Sequence, residues 1–426
     1  MLRAGLALAA LALGVAAAAL PRGEGVEFTD AEVRRLVQHT GLGAPPPDPT
    51  NAWADDERAA RLGQRLFFDA RLSSNGRLSC ASCHDAALGL ADGKPLAEGL
   101  GTTSRHAPSL WNTAFQRWYF WDGRVDTLWG QAVQPLENPL ELGSSRTALA
   151  RRVALDDALR GEYEAVFGAL PDALDADSLP EQARPVPEDP RHDHARAWAA
   201  LAPERRAAVE AVAVRALKAI AAYERRLVSA RAPFDVFAEG LRDGDAAKVA
   251  ALSASAQRGA KLFVGRGRCR TCHSGPNFSD GEFHDIGIAP LGGGRATDSG
   301  RFGGLERLLA DPFNSASAHS DDPQGEKARA LASLVVGPQS WGEYKTPSLR
   351  NVARTAPYMH QGQLATLEDV VHFYSTLEGM LPAGHHAESI LLPLDLDEGE
   401  RADLLAFLRS LTDEGLDPAL LRPLDD

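Results

Sequence analysis

The chain is poor in sulfur: its 426 residues include four Cys and three Met. So few cysteines exclude a disulfide-built scaffold, which depends on many bridges in a short chain. Positive charge is also short, with 45 Lys and Arg against 58 Asp and Glu and a net charge of −13. No Lys/Arg block is present. That argues against nucleic acid or an anionic membrane as partner, since both need a basic face. The acidity reads as a solvated surface. Long apolar runs are missing beyond residue 20. The one run present, residues 4–20, follows a single early cation, Arg3, and carries small residues at 16–19. It reads as a secretory signal peptide over residues 1–20, with a membrane anchor as the alternative. Export implies a periplasmic protein with no stable membrane span after cleavage.

Strand-like alternation is sparse, so a mainly α fold is expected. Apolar spacing predicts helices over 30–37, 54–68, 203–229, 256–263, 366–374 and 397–411. In the longest, Val209, Val212, Ala216, Ile220, Tyr223 and Leu227 share a face, and Pro203 stands at its start. Residues 69–76, 89–103 and 287–340 read as loops. A Pro/Asp-rich insertion is expected near 170–200, and His192, Asp193 and His194 at its end are read as solvated loop, not a metal cluster. Arg65-Leu-Phe-Phe and Lys261-Leu-Phe-Val each precede a cysteine pair. A duplicated helical module is the simplest account. It divides the mature chain into residues 21–230 and 231–426.

All four cysteines fall in two identical frames, Cys80-x-x-Cys83-His84 and Cys269-x-x-Cys272-His273. This is the attachment signature of c-type haem: two thiols bond the vinyl groups and the adjacent imidazole lies under the iron. A thioredoxin-like dithiol would need a βαβ context, and a structural zinc would take all four thiolates. Two covalent haems, with His84 and His273 as proximal ligands, are therefore expected. What each haem does depends on its other face. A capped iron carries electrons, whereas an open one can bind peroxide.

The stretches around these frames (RLFFDARLSSNGRLSCASCH, HAPSLWNTAF, WYFWDGRVDTLWGQAVQPLENPLELG and YKTPSLRNVARTAPYMHQGQLATLEDVVHFY) resemble the bacterial dihaem cytochrome c peroxidase and MauG superfamily, from about residue 62 to 411. The resemblance implies two cytochrome c-type domains, the first holding the peroxide-binding haem and the second the other. Glu141 matches the distal carboxylate that moves the peroxide proton. Gln131 matches the distal amide, Pro135 a residue shaping that pocket, and Trp121 the tryptophan between the haems. Tyr374 matches the second haem's remaining axial position, where peroxidases of the family place Met and MauG-like members place Tyr. Met359 and Met380 are the nearby thioether alternatives. A calcium ion is implied between the haems, held by the backbone carbonyls of Thr355 and Pro357, but His106 stands where the family has an Asn ligand, and imidazole is a poor calcium donor. Arg350 and His360 are candidates for haem propionates. Residues 89–103 lack the His of the loop that blocks the first haem in resting peroxidases, and residues 265–268 lack the surface Trp of MauG.

The function expected is a periplasmic dihaem oxidoreductase that reacts with H2O2 at the His84 iron. A two-iron high-valent state would then oxidise a protein substrate. The aromatic-rich 106–129 stretch resembles the MbnH-like branch, which oxidises a partner's Trp to kynurenine. One rival is a peroxidase fed by a small redox protein, which a Met ligand would favour. The other is a dihaem electron carrier, against which Glu141 and Gln131 count.

Overall fold

The computed structural model describes residues 26–294, 297–381 and 391–424. The predicted signal peptide lies outside them. Among the described residues helix dominates. The strands are the two-residue pair Phe283–His284 and Tyr344–Lys345, joined antiparallel, with isolated bridges elsewhere.

Two hydrophobic cores carry the molecule. The first is built around a crossing of the Glu57–Phe68 and Pro203–Glu224 helices and includes Leu62, Leu66, Phe67, Trp129 and Ile220. The second is built around a crossing of Ala254–Val264 and Glu398–Arg409 and is rich in Phe: Phe234, Phe237, Phe263, Phe278 and Phe407. Each crossing turns on one glycine. A Cβ on Gly63 would overlap the Ala219 carbonyl, and one on Gly259 would overlap the Asp403 carbonyl. Absence of a side chain lets the backbones touch, a use of Gly that outweighs its helix penalty. A division at residue 230 does not separate all of the packing. Leu36, on the Asp30–Val37 helix, belongs to the second core, and Leu416, Leu420 and Leu421 pack against the first.

The repeat extends much further than Arg65-Leu-Phe-Phe. Residues 105–137 and 344–376 run the same course at a constant offset. Pro108-Ser-Leu-Trp-Asn112 matches Pro347-Ser-Leu-Arg-Asn351, and both Asn residues take the left-handed conformation, at φ 61° and 60°. A tight turn follows in each, closed by the bridges Tyr119 to Val125 and Tyr358 to Leu364. Then Thr127 and Thr366 cap the helices Leu128–Glu137 and Leu367–Thr376 through their hydroxyl oxygens.

Several loop expectations are corrected. Residues 287–340 contain the helices Arg301–Ala310 and Glu326–Leu331. Their apolar sides are short, with Leu305 and Leu308 buried on one and Ala328 and Leu331 on the other, so no long period marks them. The Pro/Asp-rich insertion ends in the helix Asp193–Ala200, whose first turn is capped by the His192 ring. Among the described residues no helix is long and apolar enough to cross a membrane.

Candidate haem centre

One cavity of about 1250 Å³ reaches both cysteine frames. That exceeds the about 300–1,000 Å³ of ordinary small-molecule pockets. Cys83, His84, Cys269, Cys272 and His273 line it, and all four thiols are free. The two histidines are oriented alike. The Leu90 carbonyl accepts from His84 Nδ1 at 3.0 Å, and the Phe278 carbonyl accepts from His273 Nδ1 at 3.0 Å. Leu90 and Phe278 are both left-handed, at φ 57° and 51°. A carbonyl can only accept, so Nδ1 carries the proton and Nε2 keeps its lone pair for a metal. Burial lowers the pKa of both rings and favours this neutral form.

The four cysteines do not converge. Among the described residues, the one group of potential ligand atoms close enough for a metal is Cys272, Asp280 and His284. A four-thiolate zinc site is thus excluded for these residues. His192 and His194 lie at a helix start, outside any such group.

Haem fits this cavity on a separate ground. Lys345 lines it, donates to Gln116 Oε1 at 2.9 Å, and has its pKa lowered to about 8 by burial. No carboxylate pairs with it among the described residues. A buried cation of this kind calls for an anion, and haem propionates supply one.

Each expected site residue can be placed. Gln131 and Pro135 lie on the Leu128–Glu137 helix and line the cavity with Leu128. Glu141 lines it from the turn beyond. Asn138 Nδ2 donates to its Oε2 at 2.7 Å, and burial, the larger effect, raises its pKa. Gly99 packs against the Glu141 backbone so closely that a Cβ would collide with it. Trp121 is half-buried in the cavity wall and donates from Nε1 to the His106 carbonyl at 2.9 Å. On the Leu367–Thr376 helix, Leu367, Val370, Val371 and Tyr374 face the cavity, and burial raises the Tyr374 phenol far above its usual value. Tyr374 occupies the step of its helix that Pro135 occupies in the other repeat. Met359 also reaches the cavity. Met380 does not line it and packs at Gly287.

One expectation needs correction. Arg350 lines the cavity, but its guanidinium is spent on Asp235, at 2.9 Å to each carboxylate oxygen, and on the Pro276 and His39 carbonyls. Its charge is therefore neutralised by protein. His360 is stacked face to face on Tyr344, with centroids 3.6 Å apart. For calcium, Thr355 and Pro357 do line the cavity. His106 does not fit as a donor, because its Nδ1 is engaged by the Lys94 carbonyl at 2.7 Å and a ring nitrogen suits calcium poorly. Calcium enters no step below.

A family model, Di-haem cytochrome c peroxidase, matches residues 57–243. Cytochrome-c peroxidase IdrP1 of Denitromonas iodatirespirans is 32% identical over 87% of this chain and 86% of its own length. The chain belongs to the dihaem cytochrome c peroxidase/MauG family. Methylamine utilization protein MauG of Methylorubrum extorquens is 33% identical over 83% of this chain and 78% of its own. A crystal structure of a MauG-like protein associated with microbial copper homeostasis is 28% identical, covering 89% of this chain and 96% of that one with a TM-score of 0.60. Members of this family are haem peroxidase-type oxidoreductases carrying two c-type haems, and H2O2 is the oxidant the family implies. Sequence reading missed the Tyr344–His360 stack and Lys345. Lys345 had a signal, since a lone Lys beside Thr-Pro-Ser-Leu occupies the repeat position of His106.

Proposed function

We propose that this family member is a periplasmic enzyme that takes H2O2 at the haem held by His84 and oxidises a protein substrate at a distance, in the manner of MauG-like proteins. A tryptophan of the partner is the substrate class favoured. One observation supports this most: two matching helices present Pro135 on one side and Tyr374 on the other. Proline offers no donor atom, which leaves that face of the cavity open to a small oxidant. Tyrosine offers a hard oxygen donor that favours oxidised iron.

Haem, when bound, supplies the peroxide-cleaving iron and the store for two oxidising equivalents. The protein does the rest. The Glu141 carboxylate accepts the proton of the peroxide oxygen nearer the metal and returns it to the departing oxygen. Its raised pKa brings the proton-bound form closer to neutral pH, where such exchange is efficient. The Gln131 amide, on the same side of the cavity, would donate a hydrogen bond to the peroxide. Trp121, fixed by its hydrogen bond to His106, gives and regains electrons between the two ends of the cavity. Burial favours the neutral form of the Tyr374 phenol, so a phenolate there would require a neighbouring cation such as ferric iron.

Met359 at the cavity wall favours a second reading, in which a thioether caps the second haem and a small redox protein supplies electrons. One experiment separates the two. Stoichiometric H2O2 is added to the diferric holoprotein, followed by optical, near-infrared and EPR spectra. Loss of both ferric signals with a new near-infrared band is expected, and Tyr374→Phe should shorten the life of that state. Reaction only after one-electron reduction would establish the second reading and remove Tyr374 as ligand.

A further inference from the structure

Tyr344 has no role in the peroxide chemistry above, yet it lines the cavity. Its ring lies parallel to His360, with 3.6 Å between centroids and 10° between planes, and both rings line the cavity. His360 occupies the position in its repeat that Trp121 occupies in the other. The two positions are linked through the backbone of one residue: Trp121 Nε1 donates to the His106 carbonyl, and His106 N donates to the His360 carbonyl, each at 2.9 Å. A reciprocal bond runs from Lys345 N, next to Tyr344, to the Trp121 carbonyl at 2.8 Å.

A carboxylate that can take the Tyr344 proton stands nearby. Burial raises the pKa of the phenol, and the charge of Asp298 raises it further. That carboxylate is held in place by Arg105, whose Nε and Nη2 donate at 2.8 and 2.7 Å, and by Gly300 N at 2.9 Å. Arg105 lies 5.5 Å from the Tyr344 ring centroid. An oxidised phenol is a far stronger acid than a neutral one, so even a well-paired carboxylate is basic towards it.

We propose that Tyr344 is a redox-active relay residue, stacked on His360 and proton-coupled to Asp298, that works beside Trp121. The proposal rests on the peroxide reading above. H2O2 takes two electrons and two protons to become two waters, which leaves two oxidising equivalents in the protein. One electron then leaves the Tyr344 ring to fill one of these vacancies. The O–H bond breaks, the proton passes to Asp298, and a neutral phenoxyl radical remains. It is quenched when an oxidisable side chain of the protein substrate returns an electron and Asp298 returns the proton.

The test uses the diferric holoprotein, prepared with ordinary and with ring-deuterated tyrosine, mixed with equimolar H2O2 and frozen for EPR. A radical signal that narrows on tyrosine deuteration is expected. Y344F should lose that signal by tenfold or more while its resting spectrum and haem content match the parent. D298N, which removes the proton acceptor, should lower it several-fold. A peroxide-induced optical change without a tyrosine radical overturns the relay and leaves the peroxide reading intact. So does a tyrosine radical that survives in Y344F. Should Y344F not load haem, D298N decides, and a radical of unchanged yield there overturns the proposal. No optical change with peroxide in the parent overturns both readings.

Discussion

Residues 105–137 and 344–376 follow one backbone path with two chemistries. At the turn, the first repeat has Trp121 and the second His360. Two residues before the shared Pro-Ser-Leu, His106 corresponds to Lys345. On the following helix, Pro135 faces Tyr374. The left-handed Asn pair, the bridged turn and the Thr cap are common to both, because these fix the backbone. The three contrasting pairs, Trp121 and His360, His106 and Lys345, Pro135 and Tyr374, all face the cavity. Duplication thus supplies two like cradles, and substitution at positions facing the cavity makes them unequal. Breaking that inequality should have the largest effect. Pro135→Tyr gives the first repeat the second repeat's residue. It should cap the open face and abolish cyanide binding to the ferric holoprotein, as read by optical titration. Retained binding would show that position 135 does not govern access.

Next in size is the acid that has no counterpart on the second side. The Leu367–Thr376 helix ends in Leu377 and the chain turns away, whereas the Leu128–Glu137 helix is followed by the turn that brings Glu141 into the cavity. Glu141→Gln keeps the hydrogen-bonding shape and removes the proton acceptor. The rate of reaction with peroxide in stopped-flow should fall by about 10²–10⁴-fold. An unchanged rate would move the proton transfer to another group.

A third comparison should reveal likeness. Gly63 and Gly259 sit at the two helix crossings, each against a carbonyl. Gly63→Ala and Gly259→Ala should each cost roughly 1–3 kcal/mol or more in denaturant unfolding, since a methyl group must push the helices apart. A large cost at one site only would mean that the two crossings have diverged in packing.

Much of this was legible in the sequence. The helices Asp30–Val37, Pro203–Glu224 and Leu367–Thr376 announce themselves by apolar spacing, the second also by Pro203 at its start. Two CxxCH frames locate the cavity without further help. The repeat was visible too, since Pro-Ser-Leu-x-Asn occurs twice, but Arg65-Leu-Phe-Phe alone suggests less than the structure holds. Other features depend on contacts distant in the chain. Nothing local tells that Arg350 is spent on Asp235, because that pair joins segments far apart. The same holds for Tyr344, whose stacking partner is set by the turn at His360. The helices within 287–340 were hidden because each buries only one or two apolar residues on a side.

The smallest effect concerns a group that packing alone would not favour. Glu224 ends the Pro203–Glu224 helix and is 4% exposed. Its Oε2 has no hydrogen-bond partner, and burial lifts its pKa from 4.5 to about 8. At the second crossing the step from Asp403 to Leu408 equals that from Ala219 to Glu224, and a buried leucine stands there instead. Between pH 4.5 and about 8 the folded chain holds a proton that the unfolded chain has released. Stability must therefore fall as pH rises through that window, with the full cost present above it. Glu224→Gln cannot ionise. It should flatten this slope and stabilise the protein by about 1–3 kcal/mol at pH 9 while changing little at pH 4. Glu224→Leu, which copies the second crossing, should do the same without leaving a buried polar atom. Denaturant titrations at both pH values decide the matter: equal stability of parent and Gln variant at pH 9 would show that Glu224 finds a partner for its charge in the folded chain.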